Sequence, residues 1–127
     1  MDWKDEYSVG VSMIDEEHKQ LLLLISNLHA AVASAPETAA ARCDELIAHA
    51  LEHFAHEEQH FGLYPRAEPH RRMHQKLKER LTEYRSRLDQ VPLPASADLT
   101  LFEDFLAHHI AGPDREYGAW LNAQGIH

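Results

Sequence analysis

The sequence predicts an all-α fold, an antiparallel up-and-down four-helix bundle with an N-terminal arm and a short C-terminal helix. Three observations carry this. Apolar residues recur at intervals of three and four rather than two. Glycine and proline, 5 and 6 among 127 residues, divide the chain into a few long stretches. The connections between those stretches are short, which favours antiparallel neighbours. The length suits one domain over 1–127, with residues 1–14 as the arm and 15–123 as the bundle. Such a chain buries most of its apolar surface without a disulfide or structural metal, so a metal in it is expected to be functional.

The first helix is predicted to begin near Asp15, a good N-cap, with Leu22, Ile25, Leu28 and Val32 on one stripe until Ser34-Ala35-Pro36. His18 lies on that stripe. The second runs from about Glu37 to Gly62 with Leu46, Ala50, His53, Glu57 and Phe61 inward, so its core face turns polar midway. The third starts around Pro69, after the Tyr64-Pro65 turn, and its seam reads His70, His74, Leu77, Leu81, Tyr84, Leu88. A loop with Pro92, Pro94 and Ser96 leads to the fourth, capped by Ser96 or Asp98, with Phe102, Phe105, Leu106 and His109 facing inward. Gly112-Pro113 interrupts it, and Asp114 to Ala123 resumes as a short helix carrying Tyr117, Trp120 and Leu121. Trp3, Tyr7, Val9, Val11 and Ile14 of the arm are expected to pack over the bundle.

Composition excludes several function classes. With 21 acidic residues against 12 lysines and arginines the net charge is −9, and no basic tract offers a face for phosphate, so nucleic acid is not an expected partner. Cys43 is the only cysteine, which rules out an internal disulfide and a cysteine-based metal framework. The N-terminus lacks the basic start and apolar core of a signal peptide. The longest apolar run, Leu21 to Ile25, falls far short of the roughly 20 residues a membrane span needs. A soluble, cytoplasmic protein with no membrane insertion is expected.

The chemistry is carried by imidazoles and carboxylates on the core stripes. Side chains four apart on a helix lie about 40° apart round its axis and roughly 6 Å apart along it, close enough to share a metal. His53 with Glu57, and His70 with His74, meet this condition. Asp114 follows His109 by five, which in a regular helix would point it about 140° away. Pro113 cannot donate to the carbonyl four residues earlier and Gly112 relaxes steric limits, so a wide turn of π type is expected to swing Asp114 back. Taken singly, each group has an ordinary reading as a satisfied core histidine, a helix pair or a cap. Taken together, five histidines and two carboxylates are too costly to bury unpaired. They exceed the four ligands of a tetrahedral zinc site and suit two six-coordinate ions bridged by carboxylates; iron, copper, nickel and zinc all remain open.

These residues resemble the hemerythrins, specifically the single-domain bacterial forms often called bacteriohemerythrins. The likeness lies in Trp3, Val9-Gly10-Val11, Ile14-Asp15-Glu16-Glu17-His18-Lys19, His53-Phe54-Ala55-His56-Glu57-Glu58, Tyr64-Pro65, His70-x-x-x-His74 and His109-Ile110-x-x-x-Asp114. The resemblance implies a non-haem di-iron centre (Fe2+/Fe3+) with an oxo or hydroxo bridge that binds O2 reversibly, for oxygen carriage, storage, delivery or sensing. His70, His74 and His109 would hold one iron, His18 and His53 the other, with Glu57 and Asp114 as bridges. The two-histidine iron would keep an open position, and Phe54, Phe105, Leu106 and Ile110 would line the O2 pocket. Phe105 stands where the family usually has tryptophan. The expected activity is binding of O2, or of another small ligand such as nitric oxide, rather than catalysis; the alternatives are a di-iron enzyme acting on O2, peroxide or nitric oxide, and a metal-buffering protein. His29, His49, His56, His60, His108 and His127 match no ligand position, though His56 and His108 adjoin ligands and are candidates to support them. Glu58 points about 100° from Glu57 and is left outside the ligand set.

Overall fold

A computed structural model describes residues 2–90, 93–94 and 96–127. Among these the chain forms α1 (Ser12–Ser34), α2 (Ala39–Glu58), α3 (Ala67–Arg87), α4 (Ser96–His109) and α5 (Arg115–Ala123), and no strand. Helix α1 packs on α2 and α4, and α3 packs on the same two, which closes the ring of a four-helix bundle. The apolar stripes read from the sequence meet inside it: Leu22, Ile25, Leu28, Leu46, Leu81 and Leu99 belong to one buried cluster. No helix among the described residues is long and apolar enough to cross a membrane.

The helix ends shift from their expected places for local reasons. Helix α1 starts at Ser12, one turn before Asp15, so Asp15 does not cap it. Its carboxylate instead accepts the Val9 N–H at 2.8 Å and the Ser8 hydroxyl at 2.6 Å, tying the arm to the first turn. Pro36 opens a single 3-10 turn, Pro36–Thr38, and α2 begins only after it. At its other end α2 stops at Glu58 rather than Gly62, and Phe61–Leu63 form a separate 3-10 turn. Helix α3 begins at Ala67, two residues before Pro69, whose missing N–H costs nothing in a first turn. Helix α4 does start at Ser96, but the Asp98 carboxylate accepts from Arg87 Nη2 at 2.7 Å across to α3. Pro94 falls in the loop into α4 as expected, Ser96 is already the first residue of the helix, and Pro92 lies outside the described residues.

The arm closes one end of the bundle. Val9, Val11 and Ile14 join Phe61, Tyr64, Tyr117 and Leu121 in a second buried cluster, and Tyr7 reaches the main core with Trp3 edge-on against it. Gly10 has φ of +79°, a left-handed conformation that only glycine adopts without strain. Gly118 of α5 serves close approach: a Cβ there would sit 2.0 Å from the Val9 carbonyl oxygen.

Between α4 and α5 lies the expected wide turn. Residues Ile110–Asp114 form one turn of π-helix, with helical backbone angles at His109 before it and Arg115 after it. Gly112 is not what permits it: its φ is not left-handed, and a Cβ there would meet nothing within 4 Å. Pro113, which has no N–H to give a regular α-turn, is the residue that breaks the ladder.

Candidate metal centre

Five helical segments deliver seven polar side chains to one point inside the apolar core. His18 comes from α1, His53 and Glu57 from successive turns of α2, His70 and His74 from successive turns of α3, His109 from the end of α4, and Asp114 from the π turn. All are buried, Glu57 and Asp114 to 1% exposure. The wide turn brings His109 Nε2 within 3.0 Å of Asp114 Oδ1, although five residues separate them in sequence.

The carboxylate oxygens divide the histidines into two groups. Glu57 Oε1 lies 2.9 Å from His74 Nε2 and 3.5 Å from His70 Nε2, and Asp114 Oδ1 lies 2.9 Å from His70 Nε2. The other oxygens face the opposite way. Glu57 Oε2 is 2.9 Å from His53 Nε2 and 3.6 Å from His18 Nε2, while Asp114 Oδ2 is 3.0 Å from His18 Nε2. Each carboxylate therefore offers one oxygen to a three-histidine group and one to a two-histidine group. Within each group the donor atoms lie within 4.8 Å of one another, close enough to share an ion.

The donor chemistry fits metal ions. Among the described residues the buried side-chain polar atoms with no hydrogen bond include both nitrogens of His18, Nε2 of His70 and His109, Oε2 of Glu57, and both oxygens of Asp114. Their short mutual approaches lack hydrogen-bond geometry, so an apolar core is carrying polar atoms whose hydrogen-bonding capacity is unmet. Leaving each such atom unpaired costs on the order of 1–3 kcal/mol; a cation on each side of the carboxylate pair would satisfy them together.

A family model described as the hemerythrin HHE cation binding domain matches residues 9–121, which spans all seven side chains. The chain belongs to the hemerythrin family. A bacteriohemerythrin of Stenotrophomonas maltophilia (strain R551-3) is 31% identical to it over 125 residues, covering 95% of this chain and 81% of the relative. Bacteriohemerythrins of Pseudomonas aeruginosa (strain LESB58) and Pseudomonas paraeruginosa (strain DSM 24068 / PA7) are each 30% identical over 118 residues, covering 91% of this chain and 77% of theirs.

Around this hemerythrin centre a second layer of carboxylates orients the imidazoles. Glu17 accepts from His53 Nδ1 at 2.9 Å, and Glu58 accepts from His74 Nδ1 at 3.1 Å. Since a carboxylate only accepts, it holds the proton on Nδ1 and leaves the Nε2 lone pair facing the centre. Neither residue was expected in this role. The signal was only that each directly follows or precedes a stripe residue on the same turn. His56 also bonds to Glu17, so it supports His53 at one remove, whereas His108 donates to the Asp104 carbonyl of its own helix and stays exposed. Buried Tyr117 donates its hydroxyl to the Glu57 carbonyl at 2.7 Å, pinning the backbone that carries the Glu57 carboxylate.

The apolar wall is partly as expected. Phe54, Leu106 and Ile110 are buried in the main cluster, and Phe54 stacks on His74 with ring centroids 4.2 Å apart. Phe105 departs from the expectation: it is 39% exposed, with the Arg80 guanidinium 3.9 Å over its outer face. It lies about 100° round α4 from Leu106 and so leaves the buried stripe.

Without a metal the cluster is held together by opposite charge. Burial works against a charge on His53, yet Glu57 and Glu17 push its pKa up to about 10; His70 is likewise pushed up to about 9 against burial by Asp114 and Glu57. Burial would raise both carboxylates, but the imidazoles, His53 for Glu57 and His109 for Asp114, hold them well below their ordinary range. Near pH 7 the metal-free chain thus keeps protons on His53 and His70 that a divalent ion must displace. Titrating it with zinc or cobalt in weakly buffered solution is expected to release at least two protons per fully loaded chain, since His18 is raised as well. Apparent affinity should rise by about tenfold per pH unit for each proton displaced until pH passes the raised histidine values. Loading with no proton release would contradict this.

Proposed function

We propose that the chain binds O2 reversibly at a non-haem di-iron centre, serving oxygen carriage, storage, delivery or sensing rather than turnover. His70, His74 and His109 would hold one iron, His18 and His53 the other, and Glu57 and Asp114 would bridge the two beside an oxo or hydroxo group. When bound, the iron pair supplies the electrons and the affinity for O2. The observation that carries the reading is the split of the two carboxylates between groups of unequal size. Counting the shared oxygen, the three-histidine group offers six donors and the two-histidine group five, so one position is left for a small ligand.

The chain's own residues supply the rest. Glu17 and Glu58 fix the faces that His53 and His74 present. Phe54, Leu106 and Ile110 keep water from the core and hold no group that could donate or accept a proton, which favours retention and release over chemistry.

The test is spectroscopic. Chain loaded with ferrous iron under nitrogen is expected to gain a visible absorption band on exposure to air and to lose it on degassing, through repeated cycles; His74→Ala should abolish the band. No band, a band that degassing does not reverse, or sustained turnover of peroxide or nitric oxide would replace this reading with another.

A further inference from the structure

A cleft of about 320 Å³ opens on the surface between α3 and α4 and has His109 in its lining. Its lining brings together Met73 and Leu77 of α3, Phe105, His108 and His109 of α4, and Pro113 of the π turn. Lys76 and Arg80, one turn apart on α3, also line it, and no carboxylate is among the lining side chains.

The charge here runs against that of the chain. Carboxylates outnumber lysines and arginines 21 to 12, and three other basic residues of α3 are paired, Arg71 with Glu58 and Glu68, Arg85 with Asp44 and Asp89, Arg87 with Asp98, while Arg72 and Lys78 lie outside the cleft. Lys76 and Arg80 are among the described residues with no ion pair. Arg80 instead stands over Phe105, its guanidinium carbon 3.9 Å from the ring centre, so a cation and an exposed aromatic ring lie side by side in the cleft. Phe105 and Met73, each 39% exposed, would both lose water to an occupant.

We propose that this cleft binds a small planar aromatic anion, its ring between Phe105 and the Leu77 and Met73 side chains and its acidic group on Lys76 and Arg80. The volume sits at the lower end of the range for small-molecule sites and suits about two fused rings with one acidic substituent. Such a ligand would touch His109 without entering the apolar core, which gives it a contact with the candidate metal centre independent of the O2 reading.

The test uses 2-naphthoate and its neutral counterpart 2-naphthamide, titrated calorimetrically into the full chain. Naphthoate is expected to bind at one site at least about tenfold more tightly than the amide, the margin of one charge-assisted hydrogen bond. Lys76→Glu and Arg80→Glu should each weaken naphthoate by about tenfold or more while leaving the amide unchanged, and Phe105→Ala should weaken both. Arg72→Glu, one turn from Lys76 and outside the cleft, should change naphthoate binding by less than about twofold. Equal affinity for acid and amide, no binding below about 1 mM, or equal losses from Arg72→Glu and Arg80→Glu would overturn the proposal.

Discussion

Replacing Glu57 by glutamine is expected to abolish loading of both halves of the centre at once. Glu57 Oε1 faces His70 and His74, and Oε2 faces His18 and His53, so one side chain serves both groups. The amide has nearly the same shape but one oxygen and no charge, and its NH2 would point a donor at one group of imidazoles or the other. Loss of an outer carboxylate at a metal site typically costs about 10–100-fold in affinity, and a donor shared by two ions should cost at least about a hundredfold. Glu58→Gln, which removes only the partner of His74 Nδ1, sets the comparison: about tenfold, with two ions per chain retained. The helical fold should survive Glu57→Gln, because the amide keeps the shape of the side chain, and Asp114 and Glu17 still stand opposite His70 and His53. Metal content and competition with a chelator measure the effect, with circular dichroism to check the fold. Two ions per chain in Glu57→Gln, held as tightly as in Glu58→Gln, would remove the bridging role.

What the sequence made legible, and what it hid, follows from which physical signal each residue leaves. The bundle was visible because burying an apolar stripe every three or four residues is the same requirement that builds the helices. The converging histidines and carboxylates were visible because they break that stripe, a polar residue on a core seam being costly without a partner. Asp114 could be placed beside His109 because a five-residue spacing fits a π turn and Pro113 forbids the regular one. Glu17 and Glu58 left no such trace. Each sits at the edge of its stripe, where an acid is ordinarily solvated, and each acts by reaching a neighbouring helix. Asp15 and Phe105 were misjudged for a related reason: a cap-forming residue one turn inside a helix, or a ring about 100° off a stripe, reads correctly only when the helix start and its rotation are known. Local chemistry was readable, while distances between helices were not.

Those distances also set the largest stability effect expected here, from the smallest possible change. Gly118→Ala would place a Cβ 2.0 Å from the Val9 carbonyl oxygen and 2.9 Å from the Val9 Cβ. Backbone atoms cannot turn aside as a side chain can, and Val9 is held by its N–H bond to Asp15 and by burial with Val11, Ile14 and Leu121. The arm must lift from α5. Alanine is favoured over glycine within a helix by about 1 kcal/mol. Against that stand about 1–3 kcal/mol for overpacking and about 1.5–3 kcal/mol for each arm side chain returned to water. The steric terms win, leaving a net loss of about 3 kcal/mol and a melting temperature lower by roughly 10 °C. Metal should also leave faster, since Tyr117, which pins the Glu57 carbonyl, packs in the cluster that the arm completes. Gly112→Ala is the control, because nothing lies within 4 Å of a Cβ there and the fold should melt at or slightly above the parent temperature. Thermal melts of the two variants decide the point: equal midpoints would mean that the close approach of arm to helix does not constrain the folded state.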